Sequence, residues 1–321
     1  MEFLIAYMPE RDLTSLTAEF LLENHRLAFE ALENAPWKAG ISQDMFLNYV
    51  LPYANINEGR EAWRASFRKQ FLPLVAEAKT ASEAAAILNQ KIFPLLKVKY
   101  STKRRRADQA PLESIKSGLA SCTGLSILLI DACRSVGVPA RFVGTPLWSD
   151  KSGNHSWVEI WDDGWHFTGA AEATGNELDR AWFVGRASKA KRDHLLHAIY
   201  AVRYQRTPQS FPMVWDSSIK YVYCTNVTDR YLQTPPQPVP PGHAEFMVRV
   251  VNEKGDRIAA KVVLKDQQGK TVFTGTSKDE RFDRNDHLMV VAPAAPLTLE
   301  ATHADHSATK SVSPQPDQTI T

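Results

Sequence analysis

Apolar residues in the first third of the chain recur about four positions apart. Residues at this spacing share one face of an α-helix, so the pattern predicts that residues 14 to about 95 are mainly helical. The positions that carry it are Leu16, Phe20, Leu27, Ala31, Trp63, Phe67, Phe71 and Val75. Pro73 is expected to kink or end the segment around it, and the apolar side chains are expected to form a core.

The middle of the chain predicts a buried helix. Residues 112–136 combine a short helical segment, a break at Gly118 and a longer apolar run. Gly137 and Pro139 follow this run, and both residue types are typical of a helix end.

Alternating residues predict three strands after this helix, over 140–148, 154–162 and 164–171. The turn sequence Asp162-Asp163-Gly164 predicts that the last two strands pair as a hairpin. A charged helix is predicted over 187–198, and further strands over 211–227.

A proline-rich stretch divides the chain. Five of the nine residues 234–242 are proline, which predicts a semi-rigid linker. Beyond it, Phe246, Val248 and Val250 alternate with polar neighbours, as in a small antiparallel β-sandwich of immunoglobulin-like or related type. The predicted domains are a helical N-terminal part (1–97), a core (98–233), the linker (234–242) and a β-sandwich (243–321).

Composition is that of an ordinary soluble globular protein, with 44% hydrophobic and 23% charged residues. Charge nearly balances, with 38 Lys and Arg against 36 Asp and Glu. The one local excess is the run Lys103-Arg104-Arg105-Arg106, which we interpret as a solvated loop. Nucleic-acid binding is not predicted.

The cysteines and the N-terminus do not identify the cellular compartment of the protein. An odd, sparse set of three cysteines (Cys122, Cys133 and Cys224) argues against a disulfide framework and leaves at least one thiol free. Residues 1–8 are apolar but lack a basic leader, so they are not an intact signal peptide, and a removed signal would leave no trace. No apolar run approaches the ~20 residues that cross a bilayer.

Cys122 is the candidate nucleophile. The segment 121–124 immediately precedes the apolar run 125–130, so Cys122 falls at a helix N-terminus, where unpaired N–H groups and the helix dipole favour a thiolate. The same N–H groups can stabilise an oxyanion during acyl transfer.

His155 is the candidate base for this thiol. It opens a predicted strand, and alternation places His155 and Trp157 on one face of that strand and Ser156 and Val158 on the other. A helix packed on the sheet would bring its N-terminus to the start of the strand, within reach of the imidazole.

Residues 98–185 resemble the core of the transglutaminase-like superfamily, a papain-related group that includes peptide:N-glycanases. The matching segments run in the family's order: residues 118–124 (GLASCTG), 137–143 (GVPARFV), 155–160 (HSWVEI) and the pair Gly164-Trp165. The resemblance implies that Cys122 is the nucleophile and His155 the general base.

The third catalytic position departs from the family's pattern. The family has an Asp a few residues after the Trp of the next strand, and that position falls on Gly169 here. The nearest later carboxylate is Glu172, which can orient the imidazole if the strand end curls back. Otherwise the site is a dyad, or another group orients His155.

Other candidates have two readings. Because papain-related enzymes place an amide donor before the cysteine, Gln109 is a candidate for the oxyanion hole, together with Thr123 in the first helical turn. Trp157 either walls the substrate groove or is a packed structural indole. Cys133 and Cys224 are expected to be buried and inert.

The resemblance therefore implies an α+β fold with a helical N-terminal part, followed by a small all-β domain. It implies cysteine-dependent acyl transfer, and we favour hydrolysis of a peptide or carboxamide bond in a peptide or protein substrate. The alternatives are a protein-glutamine transglutaminase and a catalytically silent binding module. No His/Cys spacing suggests zinc and no glycine-rich loop suggests a nucleotide, so no cofactor or metal is expected.

The β-domain suggests contact with a cell envelope or a polymer, or else a structural cap. The same architecture, together with family habit, suggests an extracytoplasmic location, either periplasmic or secreted.

Overall fold

A computed structural model describes residues 1–233 and 238–321. The chain divides into two compact units, Met1–Thr234 and Pro235–Thr321. The predicted linker therefore lies partly outside the described residues, and its remainder, 238–242, forms neither helix nor strand.

Helices make up most of the first half of unit 1. In chain order the α-helices of this unit are α1 (Glu2–Tyr7), α2 (Glu10–Ser15), α3 (Ala18–Glu33), α4 (Gln43–Tyr49), α5 (Arg64–Phe71), α6 (Ala81–Leu96), α7 (Pro111–Ser117), α8 (Cys122–Ser135), α9 (Val184–Ala187) and α10 (Thr228–Leu232). The predicted helical N-terminal part is confirmed. Helix α5 ends at Phe71, shortly before Pro73, and the chain continues as a 3₁₀ turn over Leu72–Val75.

An antiparallel sheet follows these helices. Its strands are β3 (Ala140–Thr145), β4 (His155–Trp161), β5 (Trp165–Thr168), β6 (Tyr200–Val202) and β7 (Cys224–Asn226), and a short parallel pair joins β1 (Lys99–Tyr100) to β2 (Leu119–Ala120). The order across the sheet is β5-β4-β3-β6-β7. Asp163 takes a left-handed conformation with φ of 54° between β4 and β5, so the predicted hairpin is confirmed.

Helix α8 is the central element of the unit. One core cluster joins it to Val158 and Ile160 on one face of the sheet, and a second cluster covers Val143 and Trp157 on the other face. The helix ends before Gly137, whose φ is 85° and whose missing Cβ would lie 2.6 Å from the carbonyl oxygen of Ala31. Only glycine satisfies both constraints at this position.

Two buried arginines fix the C-terminal half of α8. Arg64 donates from Nη2 to the carbonyl of Pro52 at 2.9 Å and from Nη1 to the carbonyl of Arg134 at 3.1 Å. Arg134 donates to the carbonyls of Ala54 at 3.1 Å and Ala140 at 3.0 Å. Burial lowers the pKa of Arg64 to about 9 and that of Arg134 to about 10.

A buried carboxyl group and a buried side-chain amide form a hydrogen bond near these arginines. Asn55 donates from Nδ2 to Asp131 Oδ1 at 2.9 Å, and both side chains are buried. The remaining oxygens of the pair, Asn55 Oδ1 and Asp131 Oδ2, have no hydrogen-bond partner among the described residues. Burial raises the pKa of Asp131 well above its usual range, and the nearby Glu58 carboxyl raises it further.

The predicted helix over 187–198 is wrong. Helix α9 is a single turn that ends at Ala187, and turns follow it. Backbone bonds from Lys191 to His197 and from Leu147 to Leu196 hold this segment instead.

Unit 2 is built of strands in two sheets. Its strands are β8 (His243–Val248), β9 (Lys261–Lys265), β10 (Thr271–Thr276), β11 (Leu288–Pro293), β12 (Leu297–His303), β13 (His306–Val312) and β14 (Thr319–Ile320). The sheet orders are β10-β9-β12-β13 and β11-β8-β14. Phe246 and Val290 of one sheet share a core with Val262 and Leu299 of the other, so the predicted alternation is confirmed. The immunoglobulin-like assignment stays a prediction.

Within residues 1–233 and 238–321, no helix combines the length and the apolar character that a membrane span requires.

Candidate active site

Ser121 starts helix α8 and sets the position of Cys122. Its Oγ accepts a hydrogen bond from the Gly124 amide at 3.1 Å and donates to the carbonyl of Ala107 at 2.5 Å. The cap leaves Cys122 as the first helical residue, where backbone N–H groups have no partner within the helix. A negative charge on the sulfur is therefore favoured by the N-terminal end of the helix dipole.

His155 is the first residue of β4 and pairs with Thr145 of β3. Its imidazole is buried, whereas Cys122 is a half-buried thiol outside any disulfide. The Cys122 Sγ and a ring nitrogen of His155 lie within 4.8 Å of each other. The structure thus brings together the two side chains that the sequence singled out.

Thr123 joins the helix to the strand. Its hydroxyl lies 3.1 Å from the Ser156 hydroxyl, and both side chains are buried. Because each residue follows directly after Cys122 or His155, this bond fixes the two backbones next to the reactive groups. The Thr123 side chain is committed to that contact, and its backbone amide belongs to the first turn of α8.

Aromatic rings surround the His155 imidazole. The ring centroids of Trp148, Trp157, Trp182 and Phe183 lie 6.1, 5.9, 4.8 and 5.0 Å from that of His155. Trp157 is fully buried and its indole N–H donates to the Tyr231 hydroxyl at 2.7 Å. Of the two readings of Trp157, this placement matches the packed structural indole.

A buried hydrogen-bonded chain extends from Trp157. The Tyr231 hydroxyl donates to Glu159 at 2.7 Å, and Glu159 also accepts from Arg141 at 2.7 Å and from Arg230 at 3.0 Å. Burial and the Glu159 carboxylate raise the pKa of Tyr231 well above its usual range. The phenol therefore stays protonated and holds the indole that packs on His155.

The turn after β5 brings Glu172 back over Gly169. The Glu172 amide donates to the Gly169 carbonyl at 3.1 Å, and Asn89 of α6 holds the turn through Gly169 O and the Ala171 amide, each at 2.9 Å. A Cβ atom built on Gly169 would overlap the Glu172 carboxylate. The carboxylate thus occupies the space that a side chain at position 169 would fill.

Position 169 is on the face of the sheet that carries His155. Extending the β4–β5 register by one pair sets Gly169 opposite Trp157, and residues opposite each other share a face. The Glu172 carboxylate accepts a hydrogen bond from the Trp182 indole at 2.9 Å. Trp182 therefore contacts both this carboxylate and the imidazole.

Gln109 is buried in the loop before α7. Its amide nitrogen donates to Ser117 Oγ at 3.2 Å and to the carbonyl of Leu119 at 2.9 Å, and its oxygen accepts from the Arg105 amide at 3.1 Å. Both donor hydrogens are used within the loop, so a role in an oxyanion hole would require one of these bonds to break.

The two other thiols lie in the core. Burial raises the pKa of Cys133 and that of Cys224 to about 12. Neither thiol ionises near neutral pH, so Cys122 is the chain's candidate nucleophile.

Cys122 and His155 are also residue types that bind zinc, but zinc sites use three or four protein ligands. This pair of donors suits a nucleophile and a base.

Sequence reasoning missed three of the rings around His155. Trp148, Trp182 and Phe183 lie outside the strands, and no periodicity marks them. The one available signal is the adjacent pair Trp182-Phe183 in an otherwise polar segment.

Comparison with known proteins agrees with this geometry. Residues 70–169 match the family model of the transglutaminase-like superfamily core. No curated protein matches the chain.

Two solved structures are similar to the chain at low identity. A structure from Cytophaga hutchinsonii, described as a "Putative Cysteine Protease", is 16% identical over 34% of this chain and 38% of its own, with a TM-score of 0.30. Red sea bream transglutaminase is 9% identical over 92% of this chain and 58% of its own, with a TM-score of 0.25. The chain spans less than two thirds of either protein.

The matched segment includes Cys122 and His155 and ends at Gly169, before Glu172. Residues 70–169 therefore carry the core of the transglutaminase-like superfamily, which confirms the resemblance seen in the sequence.

Proposed function

We propose that unit 1 catalyses acyl transfer with Cys122 as nucleophile and His155 as general base. The observation that carries the proposal is the approach of the Cys122 sulfur to a ring nitrogen of His155 within 4.8 Å, at the N-terminus of α8. A half-buried thiol beside an imidazole is the arrangement that nucleophilic catalysis by cysteine requires.

In the proposed reaction His155 takes the Cys122 proton and the thiolate attacks the carbonyl carbon of an amide. The carbon–nitrogen bond breaks, the leaving amine takes the proton from the imidazolium, and a thioester to Cys122 remains. Water, deprotonated by His155, then releases the acid. The backbone N–H groups of the first turn of α8, including that of Thr123, are the proposed oxyanion donors.

Glu172 is the proposed third residue, in place of the family's Asp. Its carboxylate fills the space of a side chain at Gly169 and bonds to Trp182, which packs on His155. In this proposal Glu172 is a positioning residue that acts on the imidazole through the Trp182 indole.

The preferred reaction is hydrolysis of a peptide or carboxamide bond, by analogy with the superfamily. Transfer to a primary amine, as in a transglutaminase, uses the same thioester and differs only in the acceptor. The remaining alternative is a binding module without catalysis.

Alkylation tests the nucleophile directly. Iodoacetamide near neutral pH should modify Cys122 at least tenfold faster than Cys133 and Cys224, whose thiols serve as internal controls. His155→Gln should slow the reaction at Cys122 alone. Peptide mass spectrometry measures the modification of each thiol. Equal, slow modification of all three thiols would favour the silent binding module.

Ammonia release then separates the two reactions. A glutamine-containing peptide should release ammonia without any added amine if the chain is a hydrolase, and Cys122→Ala should abolish it. Release that depends on an added primary amine, with the amine incorporated into the peptide, would favour the transglutaminase.

The domain boundaries at residues 97 and 242 and the role of unit 2 are further parts of the proposal. We propose that unit 2 contacts a cell envelope or polymer and that the protein is extracytoplasmic, on the basis of its separate β-rich core. Cell fractionation of the full chain tests this location, and recovery in the cytoplasmic fraction would contradict it.

A further inference from the structure

A basic loop leads into the strand that precedes Cys122. The basic loop comprises residues 101–107 and carries the run from Lys103 to Arg106. The Ser101 amide donates to the Ala120 carbonyl at 2.9 Å, and the Ala107 carbonyl accepts from Ser121 Oγ at 2.5 Å. Both ends of the loop are therefore fixed to the two residues immediately before the nucleophile.

Most of the cations on and beside this loop have no carboxylate partner. Arg106 pairs with Glu113 at 2.7 Å. Among the described residues, no ion pair joins a carboxylate to the other cations of residues 97–106, which are Lys97, Lys99, Lys103, Arg104 and Arg105. Residues 97–107 contain no Asp or Glu, and the next residue, Asp108, lies 3.9 Å from Arg106, so the nearby acids compensate Arg106 and not the other five cations.

The basic loop is short, so its charged residues stay close to the two fixed ends beside Cys122. Arg104 lies three residues from each end, and a chain extends at most about 3.6 Å per residue, so its Cα lies within about 11 Å of both fixed ends. At 0.01 M ionic strength the Debye length is about 30 Å, so charges at this distance act on a ligand at Cys122. At physiological ionic strength it is about 8 Å, and the effect is weaker.

A second run of cations follows Phe183, which packs on His155. Residues 186–192 carry four cations and no acidic residue, but Arg186 pairs with Asp150 at 3.5 Å and Arg192 with Asp229 at 2.9 Å. The charge of this run is therefore partly neutralised, and the basic loop is the stronger positive feature near Cys122.

We infer that the substrate of this site is an acidic peptide, with Asp or Glu side chains near the amide that Cys122 attacks. The inference rests on the proposed function and adds the substrate class. The positive loop would raise the local concentration of such a peptide and bind its carboxylates, whereas a basic peptide would be repelled.

Two alkylating reagents of equal chemistry and different charge test the inference. Iodoacetate and iodoacetamide both form a sulfur–carbon bond with loss of iodide, but only iodoacetate is anionic. The rate ratio of iodoacetate to iodoacetamide at Cys122 should fall about threefold in Lys103→Gln/Arg105→Gln at ~0.01 M ionic strength. High salt should remove the difference. Among the described residues neither side chain makes a hydrogen bond, so the backbone bonds that hold the loop remain.

Lys69→Gln/Lys79→Gln is the matched control, because it removes the same net charge from two exposed lysines. Lys69 follows Arg68, which reaches the carbonyl of Ser135 at the opposite end of α8 from Cys122. Lys79 lies near the β4–β5 turn, since the Ser82 amide bonds to Asp162 there. An equal fall of the ratio in both double variants, or no fall in either, would overturn the inference.

Peptide binding gives a second readout. Cys122→Ala should bind a heptapeptide with a central glutamine flanked by glutamates more tightly than its serine-flanked counterpart, and Lys103→Gln/Arg105→Gln should remove most of that preference. Equal affinity for both peptides in isothermal titration calorimetry would also overturn the inference. A Cys122 that reacts with iodoacetamide no faster than Cys133 would instead contradict the proposed function itself.

Discussion

At its C-terminal end helix α8 is enclosed by two buried arginines that bond to backbone carbonyls, whereas at its N-terminal end it presents a half-buried thiol. The far end is dense in hydrogen bonds that span the chain from Pro52 to Ala140. The reactive end depends on one serine cap and one hydroxyl pair.

This difference separates stability from reactivity along one helix. A rigid far end fixes the helix axis, so the small set of contacts at the near end is sufficient to hold the sulfur against His155. Substitutions at the far end should therefore lower the free energy of unfolding, and substitutions at the near end should mainly change the reactivity of Cys122.

The largest effect is expected for Arg134→Met. The substitution leaves the carbonyls of Ala54 and Ala140 without their donor, and unmatched buried polar groups should cost about 3–5 kcal/mol of unfolding free energy. Urea denaturation measures it. Arg26→Met is the control, because the exposed pair of Arg26 with Glu30 should contribute about 0.5 kcal/mol. Equal losses in both variants would contradict the proposed role of the far end.

Glu172→Gln should slow the reaction of Cys122 by about 10- to 100-fold and leave the unfolding free energy nearly unchanged. An amide oxygen at position 172 can still accept from the Trp182 indole, so the expected effect comes from the loss of the negative charge beside the ring that packs on His155. The pH profile of Cys122 alkylation checks this positioning role, since a merely structural change would not shift the profile. Glu177→Gln is the control from the same segment, where Glu177 pairs with Arg180 at the surface. Identical profiles for the two variants would exclude the positioning role.

Ser121→Ala should lower the unfolding free energy by about 1 kcal/mol and also slow alkylation of Cys122 severalfold. The hydroxyl both caps α8 and bonds to Ala107, so its loss loosens the position of the sulfur. Ser42→Ala removes an equivalent cap from α4 and should cost the same stability without affecting the thiol. A slower thiol in both variants would mean that reactivity follows global stability.

The smallest effect is expected for Asp131→Asn, at less than about 1 kcal/mol in acid, because an amide oxygen at position 131 can accept the same hydrogen bond from Asn55 as the protonated carboxyl does. The pKa of Asp131 is raised in the folded wild-type protein. Between the usual carboxyl pKa and this raised pKa, the folded state therefore binds one proton more than the unfolded state. Stability should therefore fall as pH rises from that range toward the folded pKa.

Asp131→Asn should remove this fall, which denaturation across acidic, neutral and alkaline pH measures. An unchanged pH dependence in the variant would show that Asp131 is ionised in the folded protein.

Local patterns predicted the elements that form the site. The apolar run after Cys122 gave α8, and alternation around His155 gave β4, because both elements bury one face in a way that the sequence records. The approach of the two side chains followed from the helix packing on the sheet.

Contacts between segments that are far apart in the sequence could not be predicted from local patterns. The turn that brings Glu172 over Gly169 depends on Asn89, which lies on α6 and far away in the sequence. The failed helix over 187–198 has a similar cause, since the backbone bond between Leu147 and Leu196 overrides the helical propensity of the segment.

The exclusion between Gly169 and Glu172 makes these two positions epistatic. A side chain at 169 displaces the carboxylate at 172, so restoring the family's Asp by one substitution would crowd two acids into a single space. An arrangement with Asp at position 169 and the present one with Glu172 would then be separated by an unfavourable intermediate, whichever position changed first. A sequence alignment would show a glycine where the family has its catalytic Asp. The same volume is nevertheless filled by Glu172, three residues further along the chain.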